Sequence, residues 1–256
     1  MKADPSSLAG DSDRFRTTQW SVVLLSAQSQ APGSEAALAE LCRLYWYPLY
    51  GFVRWRGYAP EEAKDLTQGF FLHLLERKTL RKADPQKGKF RSFLLVSLRN
   101  YLSNEAVRAR SLKRGGKTEF VHLDLEGGEE RYRLEPVDKL TPEKIFDARW
   151  AVALLAEARN RLSREYNAEG KGAAFEALKT FLDPANSQEL PPYGEVADKL
   201  KMSVSAIKTL IHRFRKRYGS LVREEISRTV SEAGDVDAEI HELCEALIAT
   251  EGWIVP

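Results

Sequence analysis

The sequence predicts an all-α chain: two small helical domains joined by a linker, the second containing a helix-turn-helix, followed by a C-terminal helical tail. Three observations predict it. Apolar residues recur at helical spacing through most of the chain. Strand-like alternation is confined to a short run at 120–125 (FVHLDL). Glycine and proline gather between the periodic stretches, with Gly115, Gly116, Gly127, Gly128, Pro136 and Pro142 marking a linker at 111–145 that has room for a short hairpin. The expected organisation is an N-terminal segment at 1–33, partly disordered, a helical domain at 34–110, the linker, a second domain at 146–225 and a tail helix within 226–256.

Each element has its own signal. Thr18 caps an expected helix at 19–28. The next helix, 34–56, supplies Tyr45, Trp46, Tyr50, Phe52 and Trp55 as core candidates, and Pro48 should kink it. A helix at 60–77 begins on Pro60, with Glu61 and Glu62 complementing the positive end of its dipole. Its core stripe is Ala63, Leu66, Phe70, Phe71, Leu74 and Leu75, and its other face carries Asp65, Gln68, Gly69, Leu72 and Glu76. After a loop at 82–89, a helix at 90–110 turns Leu94, Leu98, Tyr101 and Leu102 to the core. Helices resume at 143–166 and 171–182, and a proline-rich loop at 183–192 precedes two short helices. The tail helix starts at Asp235 and places Ile240, Leu243, Leu247 and Ile248 on one face.

Composition bounds the function. The 256 residues contain 43% hydrophobic and 30% charged residues, enough for packed cores under a solvated surface, and the net charge is only +2. Charge distribution therefore matters more than its sum. Two cysteines, Cys42 and Cys244, form no CxxC and no disulfide framework, which suits a reducing cytoplasm. No apolar run reaches the ~20 residues of a membrane span. The first residues lack the apolar stretch of a signal peptide. No cofactor motif is present, and His73, His122, His212 and His241 are scattered.

The strongest motif lies at 193–218 (YGEVADKLKMSVSAIKTLIHRFRKRY). A short helix at 195–200 is followed by a turn at 201–203, and Ser203 can cap the next helix. On that helix Ile207, Leu210, Ile211 and Phe214 form an apolar stripe. Ser205, Thr209, His212 and Lys216 occupy the opposite face, flanked by Lys208 and Arg213. A recognition helix needs this arrangement: one face docked, the other offering hydrogen-bonding and basic groups to the major groove. No acid occurs from Lys199 to Arg217, which leaves a local field for phosphate. Lys201 occupies the turn position often filled by glycine, where a left-handed backbone costs a side chain about 1 kcal/mol. A second basic stretch runs from Lys87 to Lys117, with Phe90, Phe93 and Tyr101 interleaved, the composition of a nucleic-acid surface.

Two of these segments and the helix-turn-helix together resemble the bacterial RNA polymerase sigma factors of the extracytoplasmic-function subfamily. The run YAPEEAKDLTQGFF at 58–71 is similar to the second sigma region, where a D-L-x-Q helix binds the polymerase clamp. The run GKFRSFLLVSLRN at 88–100 resembles the adjoining segment that opens and reads the minus-ten element. The motif at 193–217 resembles the fourth region, which reads the minus-thirty-five element. The resemblance implies a sigma factor, not an enzyme, with core RNA polymerase and promoter DNA as partners and no cofactor. It also admits an anti-sigma factor. It assigns Asp65, Gln68, Leu72 and Glu76 to polymerase, and Lys87, Lys89, Arg91, Arg99 and Asn100 to the minus-ten element. Ser205, Lys208, Thr209, His212, Arg213 and Lys216 fall to the minus-thirty-five element. The chain departs from the family pattern at Gly69, where an acid is common, at Lys201 and in the tail beyond about Arg228. Two other readings remain open: a helix-turn-helix regulator that never engages polymerase, and a nucleic-acid enzyme.

Overall fold

The structure is a computed structural model, and it describes residues 34–76, 89–111, 132, 140–182, 190–230 and 234–250. Among these residues every regular element is helical and no strand occurs. The predicted helix at 19–28 and the strand-like run at 120–125 lie outside them.

Helix α1, Ser34–Trp55, continues through Pro48 and carries the aromatics of the first core. Helix α2, Pro60–Glu76, opens on proline with Glu61 and Glu62 in its first turn, as its dipole favours. Helix α3 is Phe90–Ser111. Helix α4, Pro142–Ala168, is capped by Thr141, whose hydroxyl accepts from the Lys144 N–H, and Pro142 follows the cap. It ends where Gly170 takes φ 70° and the Lys171 N–H donates to the Tyr166 carbonyl at 2.8 Å. Helix α5, Gly172–Leu178, runs into a 3-10 turn at Lys179–Leu182. Helices α6, Tyr193–Leu200, and α7, Val204–Ser227, follow, and then α8, Asp235–Ala249. Helix α7 outruns the predicted 204–218 because Leu221 and Ile226 carry its buried stripe onward.

Two large cores and a small cluster of Ala148, Val152 and Ala246 occupy the described residues, and α4 serves all three. Its first half gives Phe146, Trp150 and Leu154 to a cluster with Tyr45, Leu49 and Phe52 of α1, Phe70 and Leu74 of α2, and Phe90, Leu94 and Leu98 of α3. Its second half gives Ala158 and Leu162 to a cluster with Phe175, Phe181, Val196, Ile207, Ile211 and Phe214. The division at 145/146 read from the sequence therefore does not coincide with the division between cores, which falls inside α4. The tail joins the first core through Val236 and Leu243. Of its predicted apolar face, Leu243 is buried, Ile240 and Leu247 are partly buried, and Ile248 stays 75% exposed.

Arg149 sets how closely α1 and α4 approach. Its side chain is buried and lies against Gly51, where a Cβ would sit 2.1 Å from Nη1. Any side chain at 51 would require the Arg149 guanidinium to shift. Among the described residues no helix is long and apolar enough to cross a membrane.

Candidate nucleic-acid interface

The α6–turn–α7 unit is built by local chemistry. Lys201 takes the left-handed conformation, φ 54° and ψ 45°. Its N–H donates to the Asp198 carbonyl at 3.2 Å, and the Met202 N–H reaches back to Ala197 at 2.9 Å, so these two carbonyls of the last turn of α6 are satisfied. Ser203 then turns extended, φ −72° and ψ 152°, and its hydroxyl accepts from the Ala206 N–H at 3.2 Å. The expected left-handed turn and serine cap are both present. Helix α6 starts at Tyr193, two residues before the predicted 195, because Pro191 and Pro192 end the preceding loop there.

Behind the exposed face, α7 is held by rings and hydrogen bonds. Phe214 meets Tyr166 edge-on at 5.2 Å between centroids and Phe175 at 5.9 Å. Arg215 Nε donates to the Phe181 carbonyl at 2.9 Å, and the Tyr218 hydroxyl donates to the Leu155 carbonyl at 3.1 Å. Arg217 grips both oxygens of Glu165, at 2.5 and 2.8 Å. The hydrogen bond and charge of Arg217 hold the Glu165 carboxyl below the usual carboxylate range, against the opposing effect of burial.

The front face is open. Ser205, Lys208, Thr209, His212, Arg213 and Lys216 are all exposed, and the fold brings all six onto the outer side of α7. Among the described residues no carboxylate pairs with Lys208, Arg213 or Lys216. The Thr209 hydroxyl donates to the Ser205 carbonyl at 3.2 Å, which leaves its oxygen lone pairs available outward. Sequence reasoning missed Tyr193. Its ring stacks on Phe181 at 5.9 Å, and the Lys208 ammonium lies 5.7 Å from the ring centre. The double proline followed by an aromatic at a helix start was the available signal. Met202 and Val204, also exposed, border the same face with apolar surface.

The predicted polymerase face on α2 is only partly displayed. Asp65 is exposed and Leu72 half-buried, and the Glu76 side chain lies outside the described residues. Gln68 is a correction, since it is 2% exposed. Helix α2 is wedged between α1 and α3, so its buried arc is wider than one apolar stripe and takes in Thr67 and Gln68 beside Ala63, Phe70, Phe71 and Leu74.

The predicted basic face of α3 is corrected further. Lys87 lies outside the described residues, and Asn100 is exposed as expected. Arg99 pairs with Glu143 and stands over the Phe52 ring at 5.8 Å. Arg91 is 5% exposed and enclosed by carboxylates. Its Nε donates to Glu239 at 2.7 Å, its Nη2 to Glu242 at 2.8 Å and its Nη1 to Asp147. Lys89 Nζ lies 2.6 Å from Glu239 and also pairs with Glu242. The start of this face is covered because acids of α8 and α4 pair with Lys89 and Arg91, which the local sequence does not encode. Burial pushes the Glu239 carboxyl up, but Arg91 and Lys89 outweigh burial and hold it below its ordinary value. Burial also raises Asp147, and there the charge of Arg91 does not prevail, because Glu239 and Glu242 oppose it.

Among the described residues no group of three or more His, Cys, Asp or Glu side chains is arranged to hold a metal ion. Burial pushes the Cys42 thiol up to about 11, so it is no ready thiolate nucleophile. His241 faces Glu245 at 3.2 Å on the outside of α8. No protein-family model, curated protein or solved structure matches the chain.

Proposed function

We propose that this chain is a promoter-specificity (sigma) factor that binds core RNA polymerase and directs transcription initiation at minus-ten and minus-thirty-five elements. The observation that carries the reading is the outer face of α7: six polar and basic side chains exposed together, free of acidic partners among the described residues, on a helix pinned from behind. Such a face docks in a major groove, with Lys208, Arg213 and Lys216 on phosphates or guanine edges and Ser205, Thr209 and His212 beside them. The D-L-T-Q segment of α2 supports the polymerase half of the reading through exposed Asp65 and half-buried Leu72. The minus-ten role is assigned to Lys87, Lys89, Arg91, Arg99 and Asn100, of which Lys89, Arg91 and Arg99 would have to exchange their acidic partners for phosphates.

The deciding experiment is copurification with core RNA polymerase, followed by transcription from a random promoter library. Enrichment of a spaced pair of elements supports the proposal, and absence of any stable complex with core polymerase refutes it. Alanine at Lys208, Arg213 and Lys216 should flatten the salt dependence of duplex binding, each lost phosphate contact reducing the slope by about 0.9. Unchanged duplex binding by the folded triple variant removes α7 as the reading helix.

The burial of Gln68 and the closure of Lys89 and Arg91 favour a second reading: a duplex-binding regulator with no polymerase contact. Such a regulator binds its operator through α7 alone and fails the copurification.

A further inference from the structure

We propose that the tail helix α8 is an autoinhibitory occupant of a nucleic-acid phosphate site formed by Lys89 and Arg91, its carboxylates Glu239 and Glu242 standing where phosphates of single-stranded DNA bind. The inference rests on the reading above that the start of α3 meets the melted strand.

Two cations meet three carboxylates here. Lys89 and Arg91 face Glu239 and Glu242 from α8 and Asp147 from α4. With α8 in place the cluster carries one excess negative charge. Without α8, Asp147 alone would face both cations, leaving one excess positive charge at the first turn of α3. A guanidinium fork binds carboxylate and phosphate through the same paired N–H geometry, so one anion can replace the other. Glu239 and Glu242 are spaced three residues apart on one helix and reach adjacent donors of one arginine, Nε and Nη2.

Bracing alone does not account for these acids. Val236, Leu243 and Ala246 already bury the apolar side of α8, and packing needs no charge. A buried ion pair contributes weakly to stability because desolvating its charges offsets their attraction. Glu239 is nonetheless fully buried on Arg91. When α8 leaves, Arg91 keeps only Asp147 and opens to solvent, so a phosphate can take the place of the two glutamates.

The test uses the full chain and a fluorescent single-stranded oligothymidylate of roughly 16 nucleotides, the upper span of a single-strand groove. The isosteric double variant Glu239→Gln with Glu242→Gln should bind it roughly tenfold tighter at low salt, with a slope against salt steeper by about 1.4, two further phosphates at about 0.7 each. Adding Lys89→Ala and Arg91→Ala should return both affinity and slope to the parent level. Glu242→Gln alone, at a half-exposed position that tolerates change, should shift binding in the same direction by less. If either folded variant binds the oligonucleotide no better than the parent, autoinhibition by α8 is refuted. It is also refuted if tighter binding survives removal of Lys89 and Arg91, because the acids then act only as diffuse repulsion. No polymerase enters this assay. Release of the strand site in a chain that fails to copurify with polymerase leaves autoinhibition by α8 standing and removes the sigma reading, and the converse result does the opposite.

Discussion

Replacing Lys201 by glycine should stabilise the α6–α7 half of the molecule. Lys201 is the sole non-glycine residue with positive φ among the described residues, at φ 54°. A side chain in the left-handed region crowds its own carbonyl, a cost of roughly 1–2 kcal/mol. Glycine removes that cost but brings greater backbone freedom to the unfolded chain, a penalty of roughly 0.5–1 kcal/mol. The difference favours Lys201→Gly by about 0.5–1 kcal/mol, a rise of about 1–4 °C in Tm for a chain of this size. The backbone bonds from residues 201 and 202 to Asp198 and Ala197 need no side chain, so the turn keeps its geometry. Thermal and urea unfolding of Lys201→Gly, Lys201→Asn and Lys201→Ala measure the effect. Glycine should rank highest, asparagine between, and alanine level with the parent. A Tm that falls in Lys201→Gly, or a gain in Lys201→Ala equal to that of glycine, refutes strain at this turn as the controlling energy.

Phe214→Ala should cost about 3–5 kcal/mol, because its fully buried ring meets both Tyr166 and Phe175, and a urea titration showing less than 1 kcal/mol would contradict the second core as described. Gly51→Ala gains about 1 kcal/mol of helix propensity, yet its methyl group would fall on the Arg149 guanidinium, so a net loss of about 1–3 kcal/mol is expected. Arg149→Met in the same background should lose less than the sum of the two single changes, and strict additivity would argue against the contact. Glu239, whose carboxyl is held low, contributes stability that is present above its unfolded value of about 4.3 and lost as pH falls through its lower folded value. Asp147, raised by burial, works in the opposite sense, gaining as it takes up its proton. The acid limb of a stability–pH curve should therefore shrink in Glu239→Gln and steepen in Asp147→Asn; identical curves for all three proteins would remove this cluster from acid unfolding.

What the sequence made legible was local. The serine cap at 203, the strained turn at Lys201 and the split of α7 into a buried stripe and an open face are decided by neighbours within a few residues, and all are present in the fold. Helix starts at Pro60, Phe90 and Asp235 were readable for the same reason. The failures are long-range. Arg91 looked like one more cation in a basic run, and the carboxylate that buries it stands 148 residues away. Gln68 looked polar and outward, but helices on both sides of α2 close over it. A helical wheel records one helix against one core; it holds no information about a second neighbour. Nor could it place the first half of α4 in the N-terminal core, where the decisive contact is a glycine on α1 meeting an arginine on α4.

The distribution of acids explains how a chain of net charge +2 keeps a basic face. Where the second half of α7 meets α4, arginines are paired with acids. Arg161 pairs with Glu224 and Glu225, Arg228 with Glu225, and Arg217 with Glu165 and Glu224. Arg43 and Arg164 share Glu157 in the same way. These carboxylates lie on α4 and on the last turns of α7, away from Lys208, Arg213 and Lys216. The first half of α7 is thereby left positive while its second half is ionically tied to α4. At 1.5 Å per residue, one 24-residue helix of about 36 Å performs both tasks, with no acid intruding on the exposed part. The positive end of the helix dipole, at Val204, adds to the same field. Charge segregation along one helix, and not net charge, therefore supports the assignment of this face to a polyanion.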